Sequence, residues 1–511
     1  PWHVCEIIEG ALPTDLCGSL VRNGPGRIRL PTTKKEEKEW HQYGHWFDGD
    51  GLVTHLTLHA NGTASYAGQY VQTGRLQAQQ RAFPPAEGFA QPGAWTLRGQ
   101  GRWWENFFRI ATNPANTNVI LIDAPTDNDK PQLYAIAEGG DPVQMDLETL
   151  ETVGPAHAWT SPDGQQAVQS FFSAHYSRDC RSGQIYNHGV QFGAAGVSIN
   201  VMKCSKEGQL LQQKLHPLPF LTFIHDNALS ENYLLLVVQP FGAPLTALLD
   251  NLLGRASLGK QLQWDTAAFG NDSVVMVFNK ETLDCVAQIP IGPVSTYHLI
   301  DAFEKAESTS DGDAASIRTT LTLRLACHAD SNERNRLEAC FQDLYSATKV
   351  PACELHEFVM DLSSQSLLRR QHLVPAALPF ELPDMNGCIP SYRKRFVYTN
   401  TRGPDADFVD GLQKLDLETS QVVSPSLAWP DGAIAGAPIF VPKPAALAED
   451  DGYVFVPLYR PDVHKSDIVI LDASTLQKVA RLRLQSHTPY QFHGSWHSTI
   501  DSKKQSKGRS R

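Results

Sequence analysis

Four histidines in this chain sit in apolar, aromatic settings. His175 closes the run Phe171-Phe172-Ser173-Ala174, and His225 lies between Phe220-Leu221-Thr222-Phe223-Ile224 and Asp226. His298 follows Ser295-Thr296-Tyr297, and His493 lies inside Pro489-Tyr490-Gln491-Phe492-His493-Gly494. A buried imidazole must find a partner. Four neutral imidazoles suit a borderline divalent metal, and an octahedral iron with four protein ligands would keep two positions open for O2 or substrate. The remaining histidines, such as His3, His41, His157, His216, His464 and His497, occupy polar or loop contexts. Aromatic-flanked histidines are more often structural core residues than ligands, so both readings stay open on spacing alone.

The four are separated by 50, 73 and 195 residues, which places them on different structural units. Those units repeat. A turn of the form Asx-x-Glu/Ser-Thr/Ser stands between two alternating apolar runs at Asp146–Thr149, Asn279–Thr282, Asp361–Ser364, Asp416–Thr419 and Asp472–Thr475. Looser copies turn at Asn61-Gly62 and Lys206-Glu207-Gly208. Asx and Ser/Thr side chains bond their own backbone at turns, and Asn-Gly is a strong hairpin signal. Seven hairpins recur at intervals of about 69 residues, close to the size of a four-stranded blade with its loops. The expected fold is all-β, a seven-bladed β-propeller with a helical or loop cap over the site. In such a ring the innermost strand of each blade faces the central channel, and one histidine per blade at equal height would converge there. Short helices are expected at Asp15–Leu20 and Thr246–Leu253, with helices or loops between Arg75 and Arg109 capping one face. Residues 1–500 read as one domain, and the basic, Ser-rich 501–511 as a disordered tail.

The bulk numbers fit. Hydrophobic residues make up 41% and charged residues 19%, which supports a large packed core. The net charge of −11 argues against a nucleic-acid partner. Nine cysteines without a Cys-x-x-Cys pair argue against a disulfide framework and for a reducing compartment. No apolar run reaches transmembrane length. The sequence opens at Pro1, which leaves a trimmed targeting segment open.

The ordered motifs resemble the carotenoid cleavage oxygenase family, from about Glu9 to Trp496. Gly18-Ser19-Leu20-Val21-Arg22-Asn23-Gly24-Pro25-Gly26 is similar to its entry segment, and His45-Trp46-Phe47-Asp48-Gly49-Asp50-Gly51 to its most recognisable motif. Ser173-Ala174-His175, Ile224-His225-Asp226, Tyr297-His298 and Phe492-His493-Gly494 resemble its four ligand motifs. The resemblance implies one non-haem Fe(II) per chain held by His175, His225, His298 and His493. It also implies carboxylates that accept the other N–H of the ligands, fixing their orientation. Glu138 and Glu381 match two of these, and Ala437 stands where a third is expected, plausibly behind His493.

The implied reaction adds O2 across one C=C bond of a carotenoid or apocarotenoid and yields two carbonyl products. The implied partners are an apolar polyene and O2, in the cytoplasm or a plastid stroma. A peripheral membrane contact would run through Pro244–Leu253 or Trp103–Phe108, both of which suit a core-facing cap equally well. An alternative is cleavage of a stilbene-type phenylpropanoid. Stilbene-cleaving relatives place a lysine just before the first glutamate, and Ala137 here argues against that reading. A non-catalytic ligand-binding propeller has Ala437 as its only support.

Overall fold

The computed structural model describes residues 2–31, 40–82, 88–122, 131–155, 159–161, 163, 164, 168, 172–193, 196–309, 316–423, 427–429, 432–444 and 446–499. The expected tail at 501–511, Phe171 and His157 lie outside these residues. The chain is mostly β. Among the described residues, seven antiparallel sheets have four or more strands. Five follow one another along the chain: the second (Asn118–Ile122 to Thr152–Pro155), third (Ser177–Arg178 to Leu210–Leu218), fourth (Asn227–Leu229 to Cys285–Pro290), fifth (Leu299–Thr309 to Ser366–His372) and sixth (Phe380–Asp384 to Leu427–Ala428).

The first and seventh sheets exchange strands. The first holds Gly18–Arg27, Asp50–Leu58 and Ala64–Tyr70, and its edge is completed by the distant strand His493–Ser498. The seventh runs from Ile434–Ala435 to Lys478–Arg483 and is extended by the early strand Glu6–Gly10. The strands Glu6–Gly10 and His493–Ser498 are thereby tied into neighbouring sheets.

Strands such as Asn118–Ile122 and Tyr233–Val238 are buried on both faces, and their alternation shows against what. In Asn118–Ile122, Val119 and Leu121 pack with the first sheet, whereas Ile120 and Ile122 pack with the third. In Tyr233–Val238, Leu234, Leu236 and Val238 join the third sheet, whereas Leu235 and Val237 join the fifth. Seven buried apolar clusters follow this pattern. Each lies between two consecutive sheets, and one lies between the seventh and the first.

All seven hairpin turns expected from sequence connect paired strands. In each of the five Asx turns the side-chain oxygen accepts backbone N–H groups two or three residues on, such as Asp146 Oδ1 from Glu148 N and Thr149 N at 2.9 and 2.7 Å. The residue that leaves each turn has positive φ although it is not glycine: Leu150, Leu283, Gln365, Ser420 and Leu476 at 51–58°. Leu150, Leu283 and Leu476 are buried, so apolar packing offsets the cost of the left-handed backbone. An eighth hairpin, unforeseen, is closed by a further Asx turn at Asp179–Gly183 in the third sheet.

Helices are few and short. Gly74–Arg81 and Trp103–Asn106 fall inside the expected capping stretch, and Leu245–Leu252 lies within one residue of the expected Thr246–Leu253. The helix expected at Asp15–Leu20 is absent. Gly18–Leu20 begins a strand instead, which pairs with Asp50–Leu58 on one side and His493–Ser498 on the other. Ser331–Gln342 is a further helix, capped by Asp330. It packs Leu337 and Phe341 with Phe241, Ala247, Phe47, Trp95, Phe223 and Tyr297 into a separate aromatic cluster.

Candidate metal centre

The fold places the four histidines at equivalent points. His175 precedes the edge strand of the third sheet by two residues and His225 that of the fourth by two. His298 precedes the edge strand of the fifth by one, and His493 opens the edge strand of the first. One ring-nitrogen from each lies within 4.8 Å of the other three. Their ring centroids are 4.3–5.3 Å apart in the pairs His175–His225, His175–His493, His175–His298, His225–His298 and His298–His493. All four expected residues are thus brought together.

The backbone that carries them is tied across sheets. Ser173 Oγ donates to the His225 carbonyl at 2.8 Å and accepts from His175 N at 3.1 Å. Asn227 Nδ2 donates to the His175 carbonyl at 3.0 Å. Asn23 stands directly opposite His493, and its Nδ2 donates to the carbonyls of Ala115 and Asn118 in the second sheet. His188 was not expected to matter; its Nε2 lies 3.3 Å from the Ile224 carbonyl and holds the approach to His225.

The carboxylates differ. Glu381 Oε2 accepts from His298 Nδ1 at 2.8 Å. Burial acts to raise this carboxyl, but His298 outweighs it and holds it down at about 2. Glu138 Oε1 is 2.9 Å from His225 Nδ1, though out of line for a hydrogen bond. Asp226, which sequence reasoning left without a role, places Oδ1 3.8 Å from His175 Nδ1. Among the described residues no carboxylate pairs with His493, and the buried Arg22 cation acts on it. Arg22 donates to the carbonyls of Ala437 and Gln491 at 2.8 and 3.2 Å.

These residues fit a cation. Burial, followed by the neighbouring imidazoles, pushes His175 and His493 well below the ordinary histidine range, so both are neutral. Burial acts to lower the His298 pKa, but Glu381 outweighs it and raises it; in the neutral ring, Nδ1 donates to Glu381 and Nε2 keeps its lone pair. That Nε2 is buried and has no hydrogen-bond partner. An orphaned acceptor facing three other imidazoles is costly unless an electrophile satisfies it. The aromatic cluster forms one wall: Phe223 stacks on His225 at 5.7 Å, and Tyr297 meets it edge-on at 5.1 Å.

The sequence profile of the retinal pigment epithelial membrane protein family matches residues 1–498. The chain belongs to this family. Its curated relatives include the apocarotenoid-15,15'-oxygenase of Synechocystis, 26% identical over 507 residues that cover 97% of this chain and 93% of the relative. The lignostilbene-alpha,beta-dioxygenase isozyme III of Sphingomonas paucimobilis is 24% identical and covers 96% and 92%. The crystal structure of cobalt-substituted Synechocystis apocarotenoid oxygenase superposes with a TM-score of 0.79 at 24% identity, covering 98% of this chain and 96% of that one. The family member described here is an enzyme, a dioxygenase in class.

Proposed function

We propose that the chain is a non-haem Fe(II) dioxygenase that cleaves a C=C bond of a carotenoid or apocarotenoid into two carbonyl products. The orphaned Nε2 of His298, facing three other imidazoles, carries this reading. His175, His225, His298 and His493 are the metal ligands; Glu138 and Glu381 orient two of them. Bound iron would supply O2 binding and activation. The protein's own work is geometric. Glu381 fixes the ring of His298, and Ser173 and Asn227 fix the loops of His175 and His225. Phe223, Tyr297, Phe341 and Phe47 exclude water and offer flat apolar faces to an extended polyene. No acid–base pair is required at the double bond.

The site sits at the hub of a seven-bladed propeller formed by residues 1–500. What supports this is the series of apolar clusters between consecutive sheets, including seventh against first, and the placing of each ligand at the entrance of an edge strand.

The substrate is an apolar polyene in preference to a hydroxystilbene. The residue before Glu138 is Ala137, fully buried and unable to polarise a phenol. Such a substrate is drawn from lipid. The two sequence segments suspected of membrane contact adjoin each other: Phe108 N donates to the Leu252 carbonyl at 2.7 Å. Together they expose Trp103, Trp104, Phe107, Phe108, Ile110, Leu245 and Leu249, with Leu245 at 74%. This patch is the membrane-facing surface. No helix among the described residues is long and apolar enough to cross a membrane.

The test is aerobic incubation of the iron-loaded protein with carotenoids, apocarotenals and hydroxystilbenes, with products weighed by mass spectrometry. Paired aldehydes or ketones from an apocarotenoid are expected, and His225→Ala abolishes both iron content and turnover. Cleavage of hydroxystilbenes alone, or normal turnover by the variant, would overturn the reading.

A further inference from the structure

Glu381 is anchored far more firmly than Glu138. Besides His298, its Oε2 accepts from Leu382 N at 3.0 Å, where Leu382 adopts a left-handed φ of 55°. Its Oε1 accepts from the Cys353 thiol at 3.1 Å. His328 closes the group, with Nε2 3.3 Å from the Cys353 sulfur and 3.7 Å from Glu381 Oε1. Glu138, in contrast, accepts one hydrogen bond among the described residues, from Ser173 Oγ at 3.5 Å.

The backbone dictates this contact. Cys353 and Phe380 exchange hydrogen bonds of 2.8 and 3.0 Å, a bridge that joins the fifth and sixth sheets. The bridge puts the thiol one residue from Glu381. His328 is bridged in the same way to Ser295, three residues before His298. Cys353 and His328 are fully buried. Burial, reinforced by the Glu381 charge, pushes the thiol well above its usual range, so it stays protonated and donates.

We propose that Cys353 and His328 are positioning residues for the metal centre: they lock the Glu381 carboxylate in the orientation that aims His298 at the metal. This rests on the reading of His298 as a ligand. A thiol suits the role because it is a weak donor. It fixes one carboxylate oxygen in place and leaves the other basic enough to hold the His298 proton. Partners behind a ligand tune metal affinity as well as ring orientation.

The test uses the full chain loaded with cobalt(II). The proton on His298 Nδ1 gives a hyperfine-shifted NMR signal that exchanges with D2O, and chelator competition reads cobalt release. Glu381→Gln is expected to displace that signal. Cys353→Ala and the similarly sized Cys353→Val are expected to displace it too, speed its exchange, and accelerate cobalt release by roughly tenfold. Cys353→Ser, which keeps a donor, restores both readouts, and His328→Phe shifts the signal. An unchanged signal and unchanged release in Cys353→Ala and Cys353→Val would overturn the proposal. So would a Cys353→Ser protein as impaired as Cys353→Ala, since packing rather than donation would then matter. If instead wild type takes up no cobalt, or Glu381→Gln leaves the signal in place, it is the assignment of His298 to the metal that fails.

Discussion

The Nε2 atoms of His175 and His493 stand 3.1 Å apart, although 318 residues separate them in the chain. Two neutral imidazoles can share a single proton across that gap, or both can direct lone pairs at one cation. His298 beside them has its only free ring nitrogen buried and unpaired, which favours the cation. Replacing His493 with alanine is expected to remove bound iron and O2 uptake together. Elemental analysis and an oxygen electrode check this; retention of about one iron per chain would exclude His493 as a ligand.

Ala437 stands where a third carboxylate is expected, and the buried Arg22 cation acts on His493. Ala437→Glu is expected to supply one and to slow iron loss to a chelator by tenfold or more. An accelerated loss would mean that the new side chain is held by Arg22 and never reaches the imidazole.

Away from the site, Lys280 is a buried cation that bonds Asp179, Tyr392 and the carbonyls of Ser230 and Glu231. Lys280→Met leaves Asp179 buried without its partner and is expected to cost about 3–5 kcal/mol, read from thermal unfolding. The Asp179 carboxyl is favoured by burial to stay neutral, but Lys280 and the turn N–H groups hold it well below the usual carboxylate range. A depressed folded value means that its stabilisation is present above the unfolded value of about 3.9 and is lost as pH falls through the folded one. Asp179→Asn should therefore melt lower at neutral pH and lose less on acidification than wild type.

Trp104 and Phe108 are exposed at 58% and 66% on the shared apolar patch. Trp104→Glu with Phe108→Glu is expected to abolish co-sedimentation with phospholipid vesicles while the melting temperature moves by only a degree or two, because neither ring is buried. Undiminished vesicle binding would move the membrane surface elsewhere.

The hairpins were legible because their signal is local: Asp146, Asn279, Asp361, Asp416 and Asp472 bond backbone atoms two or three residues on, whatever surrounds them. The four clustering histidines were legible through their aromatic neighbours, which bury them, and through their ordered motifs. Asp15–Leu20 was misread because helix propensity is a weak prior against strand partners that lie hundreds of residues away. His328, Cys353 and Asp226 were missed for a related reason. A Cys–Glu contact across two sheets leaves no mark in the linear order, and Asp226, although adjacent to His225, serves His175.

The strand beginning at His493 is zipped against Gly18–Leu20 and its neighbours, while Glu6–Gly10 is zipped against Lys478–Arg483. A ribosome must therefore release the chain through His493 before the fourth histidine can join the other three. The growing chain passes through synthesis with three of the four imidazoles and no partner for the last. Assembly order itself thus delays completion of the cluster until two strands far apart in the sequence have met.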